Sequence, residues 1–276
     1  MALKKPKFRK DRALRFYNEV LGLDRLHYGM WEDNDPRTLE GVKIAQKRYE
    51  DFLIAEIKAF SQQPRETRIL DVGCGTGVMS ESLYKNEFKV EGLSPDLHQE
   101  EVFKKRIPVP FHLARYQHFE TENQYDIILM SESAQYIPLS KLFVKTDELI
   151  KENGHLIICD YFTYEDASGP LAKSGHKLNA FLKAVKENGY RIVKEKDITA
   201  QTTPTLDAAK IFTEKYIFPT IDIFGDRFRE KKPFLYKTLK WVFRKKIAKI
   251  ENDLLLIDSK AFEKNKAYMF FVLQKE

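Results

Sequence analysis

The stretch ILDVGCGTG, residues 69 to 77, decides the fold of this chain. Its apolar residues predict a buried strand that ends near Asp71. Glycines then recur at positions 73, 75 and 77, and glycine tolerates left-handed backbone and permits close approach. A strand that turns through such glycines into a helix brings backbone against a ligand. We therefore expect a bound molecule at this turn.

The spacing of these glycines argues against two common ligand classes. The dinucleotide fingerprint is G-x-G-x-x-G, whereas this chain carries G-x-G-x-G, which disfavours a nicotinamide or flavin cofactor. The chain also lacks G-x-x-x-x-G-K-S/T, so a loop that cradles nucleotide phosphates is not expected.

Strands and helices alternate after residue 65. Apolar runs predict strands at 68–72, 88–93, 111–116, 125–131, 155–162, 190–198 and 266–275. Helical patterns fall between them at 76–86, 96–107, 140–153 and 175–189. This alternation predicts an α/β domain with a parallel sheet covered by helices.

Two regions lie outside the alternation. Residues 1–64 predict a basic helix around 8–21, a loop and a long helix at about 39–61, while 199–265 form a mostly helical insertion before the last strand. We expect three units, namely 1–64, 65–198 with 266–276, and 199–265. The insertion carries an apolar stripe that we expect to face the core, formed by Leu235, Leu239, Val242, Phe243, Ile247, Ile250 and Leu254.

The charge is uneven along the chain. The net charge is +6, and basic residues gather at 4–10 and 228–250. Such runs can attract nucleic acid, an acidic ligand or an anionic membrane, although most are solvated helix faces. Cys74 and Cys159 sit in apolar contexts, which favours buried thiols over a disulfide or a metal site. With no signal peptide or membrane span in evidence, we expect a cytoplasmic protein.

LDVGCGTG resembles the first motif of class I S-adenosylmethionine-dependent methyltransferases, and the element order over 40–198 and 266–275 agrees with that family. The resemblance implies a Rossmann-like, seven-stranded, mostly parallel sheet with an antiparallel last strand and helices on both faces. It implies S-adenosylmethionine as cofactor. Asp71 would position the cofactor's ammonium group or a water, while Gly73, Cys74, Gly75 and Gly77 would lie against its amino acid portion.

The second strand departs from the family pattern. Ser94 stands where the family usually has an acid that accepts both ribose hydroxyls, with Pro95 after it. A hydroxyl accepts a weaker hydrogen bond than a carboxylate does. Asp96 is expected to cap the following helix. After the third strand, the resemblance implies that Gln117 and His118 contact adenine.

The fourth strand ends in MSESAQYIP, residues 130–138. It has neither the N/D-P-P-Y/F/W run of enzymes that methylate nucleobase amines nor the Pro-Cys pair of cytosine C5 enzymes. It resembles the ESxEHxP run of methyltransferases that act on tocopherol, sterols and glycine-type amines. The resemblance implies that Ser131 lies beside the cofactor, and that Glu132 and Tyr136 lie between the cofactor and the acceptor.

An aromatic segment precedes the long N-terminal helix. FYNEVLGLDRLHYGMWED, residues 16–33, resembles the HYGYW entrance segment of the same branch. The resemblance implies a lid over the cofactor, with Tyr17, Tyr28 and Trp31 near the cofactor. His27 joins Glu132 and Tyr136 as a candidate for orienting the acceptor or removing its proton.

The expected function is methyl transfer to a small or lipid-like apolar acceptor, with O-, N- and C-methylation all open. Three alternatives remain at this stage. Charge alone suggests a nucleic-acid methyltransferase, and Ser94 leaves room for a cofactor-binding partner protein without transfer activity. The third is weak peripheral membrane association through 228–250. No residue set suggests a metal, and the oligomeric state is left open.

Overall fold

The structure is a computed structural model that describes residues 16–61, 63–238, 241–242 and 254–276. Most of the basic helix expected around 8–21 lies outside these ranges, and Phe16–Val20 form one π-helical turn. Along the described chain, no helix is both long and apolar enough to cross a membrane.

Within the described residues, eight strands form one sheet at the centre of the fold. Its strands are β1 Arg68–Val72, β2 Lys89–Ser94, β3 Phe111–Leu113, β4 Tyr125–Ser131, β5 Ile150–Thr163, β6 His176–Lys177, β7 Tyr190–Asp197 and β8 Lys266–Lys275. The order is β3-β2-β1-β4-β5-β8-β7, with β6 paired to the end of β5. Among these eight described strands, β8 alone runs antiparallel to its neighbours, β5 and β7. The predicted Rossmann-like sheet is confirmed, with the two-residue β6 as an addition.

Helices connect these strands in chain order. They are α1 Leu39–Ala59, α2 Val78–Lys85, α3 Leu97–Arg106, α4 Leu139–Leu149, α5 Leu178–Glu187, α6 Thr199–Thr202, α7 Pro204–Phe212, α8 Phe218–Lys231 and α9 Ser259–Asn265. Caps explain several of their starts, because the side chains of Thr38, Asp96 and Asp258 accept hydrogen bonds from the first turns of α1, α3 and α9.

Helices cover both faces of the sheet, as predicted. On one face, Leu53 of α1, Leu83 of α2 and Phe103 of α3 pack in one buried cluster with alternate strand residues. On the other face, Phe143 of α4 and Phe181 of α5 belong to a second cluster. Burial on both faces explains why the central strands consist of nearly continuous apolar runs.

One strand begins earlier than expected. The pattern predicts β5 from residue 155, but α4 ends at Leu149 and β5 begins at Ile150. The register shifts between Tyr125 and Ile127 of β4, and Asn153 has a left-handed φ of 63°. An irregular start therefore precedes the regular apolar part of the strand, and local pattern does not reveal it.

The helical insertion corrects one expectation. Leu235 and Val242 are 44% and 55% exposed, so these members of the predicted core-facing stripe are not in the core. Leu254 is partly buried in a short 3-10 turn, and the remaining members lie outside the described residues. Apolar spacing identifies a helix face, but it does not show what covers that face.

Candidate active site

The three glycines of the turn serve different purposes. All have left-handed φ angles, of 76°, 57° and 84° for Gly73, Gly75 and Gly77. A Cβ on Gly73 would lie 2.5 Å from Cβ of Ser133, and one on Gly77 would lie 2.6 Å from the Phe103 ring. A Cβ on Gly75 would have no neighbour within 4 Å. Packing therefore requires Gly73 and Gly77, whereas Gly75 faces open space.

That open space belongs to a cavity of about 590 Å³ at the carboxyl ends of β1, β2 and β4. Its size is typical of small-molecule sites, and its position is where open α/β sheets bind ligands. The predicted cofactor residues along its wall are Asp71, Gly73, Cys74, Gly75, Ser94, Pro95 and Ser131. The three predicted catalytic residues, His27, Glu132 and Tyr136, line the same cavity.

Asp71 is a buried carboxylate in this wall. It is 2% exposed, and Oγ of Ser80 donates a hydrogen bond of 2.5 Å to its Oδ2. The pKa of Asp71 is raised to about 6, mainly by burial and also by the Glu50 carboxylate, while the hydrogen bond from Ser80 and the charge of His27 oppose the rise. A cationic ligand group beside Asp71 would favour its ionised form.

Ser94 is already engaged by its neighbours. Its Oγ donates to Oε1 of Gln99 at 2.5 Å and accepts from the backbone N–H of Asp96 at 3.2 Å. Asp96 caps α3 by accepting from the N–H of Gln99 at 2.9 Å, which confirms the predicted cap. The Ser94 hydroxyl therefore keeps one acceptor lone pair for a ligand, and Gln99, which also lines the cavity, adds an amide.

In the segment after β3, the residue that lines the cavity is not one of those predicted to contact adenine. Gln117 and His118 lie in the 3-10 turn Tyr116–His118 and are not among the lining residues, whereas Arg115 is. Tyr116 is buried, and its hydroxyl bonds to Thr146 at 2.8 Å. Adenine contact by Gln117 or His118 stays a prediction, and Arg115 is a further candidate for the same role.

Glu132 is held in an unusual conformation at the end of β4. Its φ is 54°, a left-handed value that is uncommon outside glycine. Its Oε1 accepts two hydrogen bonds of 2.6 Å, from the backbone N–H of Tyr28 and from the hydroxyl of Tyr268. Burial raises the pKa of Glu132, while the charge of His27 and the two hydrogen bonds oppose the rise. One oxygen is thus fixed by two donors in a carboxylate that lines the cavity.

Buried tyrosines continue this network. The hydroxyl oxygen of Tyr268 lies 3.2 Å from that of Tyr49, and it can only accept there because its one proton goes to Glu132. The Tyr49 hydroxyl also lies 2.9 Å from Oγ of Ser131. The ring of His27 stacks on Tyr49 with centroids 4.5 Å apart. Burial raises the pKa of both tyrosines well above the ordinary value, so their hydroxyls stay protonated. The network therefore orients Glu132 and Ser131 through uncharged hydrogen-bonding groups.

A buried ionic group beside His27 was not predicted. Glu50 of α1 is fully buried and lines the cavity, and Oε2 accepts from Nη2 of Arg25 at 3.1 Å. Nε2 of His27 lies 3.7 Å from Oε1 of Glu50. Nδ1 of His27 donates to the Tyr28 carbonyl at 2.7 Å, because a carbonyl only accepts. The sequence feature that could have indicated this group is the position of Glu50, a carboxylate on the apolar side of α1 one turn before Leu53.

The aromatic residues of the entrance segment take separate positions. The ring of Tyr28 packs beside Tyr268 and Phe262, with centroids 5.5 and 5.9 Å away. Trp31 is 4% exposed, and its indole N–H donates to Oγ1 of Thr205 at 2.8 Å. Neither Tyr28 nor Trp31 is among the residues that line the first cavity. The side chain of Tyr17 lies outside the described part of the chain, and Tyr136 is 75% exposed at the cavity wall.

A second, mainly apolar cavity of about 790 Å³ adjoins the first. The entrance segment, the start of α1, α7 and the turn after α7 enclose it, with Leu26, Val42, Leu206, Phe212 and Ile217 among its apolar lining. Arg25, Leu26 and His27 line both cavities. We call the first the glycine-turn cavity and the second the apolar chamber.

Both cysteines are free and buried, as the sequence predicts. Burial raises the pKa of both thiols above the ordinary value, so neither is a reactive thiolate. Over the described ranges, no group of three or more His, Cys, Asp or Glu residues could hold a metal ion.

Comparison with known proteins places the chain in a family. The chain belongs to the methyltransferase domain family, whose model matches residues 45–195. A ubiquinone biosynthesis O-methyltransferase of Pelagibacter ubique is 24% identical over 121 residues, covering 42% of this chain and 49% of that protein. The chain spans about half the length of the curated relatives it matches.

Solved structures agree over nearly the whole chain. A candidate sarcosine dimethylglycine methyltransferase from Galdieria sulphuraria has a TM-score of 0.70 at 17% identity, covering 96% of this chain and 99% of its own. Geranyl diphosphate C-methyltransferase of Streptomyces coelicolor has a TM-score of 0.65 at 15% identity, covering 94% and 92%. At such identities the likeness concerns the fold, and the resemblance to class I methyltransferases is confirmed in family and fold.

Proposed function

We propose that this protein is an S-adenosylmethionine-dependent methyltransferase that acts on a small, apolar or lipid-like acceptor. The observation that carries the proposal is the meeting of two cavities at Arg25, Leu26 and His27. One cavity adjoins a glycine turn and polar groups, and the other is mainly apolar. This arrangement suits a polar cofactor on one side and an apolar acceptor on the other.

The residues of the glycine-turn cavity fit S-adenosylmethionine. The open space at Gly75, which any Cβ would enter, suits the close approach of a ligand to backbone. Asp71 would hold the ammonium group, and Ser94 with Gln99 would hold the ribose. Arg115 could stack on or bond to the adenine. When bound, the cofactor supplies a methyl group on a sulfonium centre that is already activated toward nucleophiles.

Glu132 is our candidate for orienting an acceptor and taking its proton. Two donors fix Oε1, so the carboxylate has a defined position in the cavity wall. Its raised pKa brings it closer to neutral pH, where a general base works most efficiently. When the imidazole of His27 is neutral, its Nε2 is a hydrogen-bond acceptor, because the one ring proton is on Nδ1, which donates to the Tyr28 carbonyl. Tyr136 is a further candidate at the cavity wall.

The apolar chamber supports an acceptor with an apolar body. Its lining includes aliphatic residues of the entrance segment and of α7. A ligand buried there would gain roughly 25 cal/mol for each Å² of apolar surface removed from water. The names of two similar proteins concern an O-methyltransferase and a C-methyltransferase, so these likenesses do not select the atom methylated. The cytoplasmic location stays a prediction.

A transfer assay with methyl-labelled cofactor tests this function. We expect label in small molecules extracted into organic solvent, with none in RNA or DNA. Label confined to bulk nucleic acid would overturn the choice of acceptor. Binding of S-adenosylhomocysteine without transfer to any acceptor would favour a cofactor-binding partner protein.

Once an acceptor is found, Glu132→Gln tests the role of the carboxylate. If Glu132 removes a proton, kcat should fall by about two to four orders of magnitude, since general bases contribute that much. The matched control is Glu91→Gln. Glu91 is also buried and accepts from a tyrosine hydroxyl, that of Tyr125 at 2.9 Å, but it lies outside the cavity. Equal kcat values for the two folded variants would contradict the assignment.

A further inference from the structure

Helix α8 of the insertion exposes a large apolar surface. All of its fourteen residues are described, and none is buried. Ile221 and Phe224 are 59% and 69% exposed. A surface helix ordinarily buries its apolar stripe, and exposed apolar patches mark interaction sites. We therefore expect the exposed surface of this helix to be an interaction site.

The charges of α8 are sorted around its axis. Ile221, Phe224 and Phe228 recur at intervals of three and four residues, so they share one side of the helix. Asp222, Asp226 and Glu230 recur every four residues and lie on a different side, because each position turns the helix by roughly 100°.

Cations border the apolar side. Arg227 lies three residues after Phe224, and Lys231 lies three residues after Phe228, so each is a neighbour of an apolar side chain on the helix surface, and both are exposed. The side that carries the apolar residues therefore has a positive edge, and the acids lie on a different side. This arrangement complements an anionic apolar interface such as a bilayer surface.

The same surface continues beyond α8. Phe234, in the helical segment 233–238, is 83% exposed, and Phe228 contacts Tyr236 with ring centroids 6.5 Å apart. At the other end, Ile217 lines the apolar chamber and directly precedes α8. The exposed surface thus adjoins the wall of the chamber proposed to hold an apolar acceptor.

We propose that the α8 face, formed by Ile221, Phe224, Arg227, Phe228 and Lys231, docks on an anionic lipid bilayer. The apolar side chains enter the interface, and the two cations meet lipid headgroups. Each cation near such a surface strengthens binding about fivefold, and salt screens this part. The proposal goes beyond methyl transfer and does not depend on it. The sequence predicts weak membrane association through 228–250 and an apolar stripe that faces the core, whereas this proposal places the contact on α8 with its apolar side toward the lipid.

Sedimentation of the full-length protein with vesicles tests the proposal. The vesicles contain phosphatidylcholine either alone or mixed with phosphatidylglycerol. We expect binding to the mixed vesicles that weakens as salt increases. The double variant Ile221→Ser/Phe224→Ser should bind at least about tenfold more weakly, since two apolar side chains leave the interface. The matched control is Ile223→Ser, which removes a side chain that is 69% exposed but shares its side of the helix with Glu230.

Charge-reversal variants measure the electrostatic contribution to vesicle binding. Arg227→Glu with Lys231→Glu should weaken binding to mixed vesicles by roughly thirtyfold or more, since two cations are lost. Lys85→Glu with Lys104→Glu is the control, because these exposed lysines lie on α2 and α3. Binding of S-adenosylhomocysteine should be unchanged in all four variants. A loss of that binding would instead indicate damage to the methyltransferase fold.

Two results would overturn the proposal. One is equal sedimentation of the wild type and the Ile221→Ser/Phe224→Ser variant with mixed vesicles at low salt. The other is a concentration-dependent dimer, seen by sedimentation equilibrium, that Phe224→Ser converts to monomer. In that case a second copy of the chain would be the partner of the α8 face.

Discussion

Replacement of Asp71 by asparagine should stabilise the protein while it weakens cofactor binding. Burial is the main cause that raises the pKa of Asp71 from its ordinary value of 3.8 to about 6. The ionised side chain therefore costs the folded state about 3 kcal/mol at neutral pH and above, since each pKa unit corresponds to about 1.4 kcal/mol. Asparagine has nearly the same shape, and its carbonyl oxygen can still accept from Ser80. The variant removes the charge and keeps the packing.

The effect has a definite dependence on pH. Because the pKa is higher in the folded state than in the unfolded state, the contribution of Asp71 to stability is fully present below about pH 4 and is lost as the pH rises through about 6. The advantage of Asp71→Asn in free energy of unfolding should thus grow from about 1.6 kcal/mol near pH 5 to about 3 kcal/mol near pH 8. Urea denaturation of both proteins across this range measures the difference.

Calorimetry with S-adenosylhomocysteine supplies the functional half of the test. A charge-assisted hydrogen bond contributes about 1.5–3 kcal/mol, so the affinity of the variant should fall by roughly ten- to hundredfold. For the wild type, affinity should weaken as the pH falls below about 6, because Asp71 then takes up a proton. A variant that is less stable at pH 8, or an advantage that does not change with pH, would refute the reasoning.

Two further predictions concern the cofactor cavity. Gly75→Leu should abolish binding of S-adenosylhomocysteine in calorimetry, whereas Gly189→Leu should leave it intact. Gly189 is the matched control, because both glycines have left-handed φ angles and open surroundings, so the two variants should lose similar stability. Unchanged binding in Gly75→Leu would contradict the glycine-turn assignment. Ser94→Asp should keep or tighten binding several-fold, since a charged acceptor forms a hydrogen bond about twice as strong as a neutral one. Ser94→Ala should weaken binding, and a large loss in Ser94→Asp would show that the pocket there rejects a carboxylate.

Local sequence was enough to predict most of the elements. The strands before and after the glycine turn, the cap at Asp96 and the last strand over 266–275 depend on apolar runs and on short-range hydrogen bonds. The sequence predicted the boundaries of elements less accurately where residues distant along the chain determine them. The early start of β5 at Ile150 depends on pairing with Tyr125, which no local pattern near residue 150 reveals.

Part of the candidate site could likewise be predicted from local sequence, and part could not. Asp71 and Ser94 lie in the last two residues of their strands, and Glu132 directly follows β4, so a parallel sheet brings them to one edge. Glu50 and Arg25 reach the same cavity from a helix and a loop outside the sheet, and their pairing could not be inferred from spacing.

The sequence by itself determined the strand, turn and helix around residues 69–77, because backbone freedom at three glycines and an apolar run are local properties. Only the tertiary structure decided that Gly73 and Gly77 serve packing while Gly75 opens to a cavity, since Ser133 and Phe103 come from distant parts of the chain. Likewise, apolar spacing in the insertion identifies a helix face, but its exposure at Ile221 and Phe224 depends on what packs there. Contacts between distant segments follow from sheet order and helix packing, which local pattern does not encode.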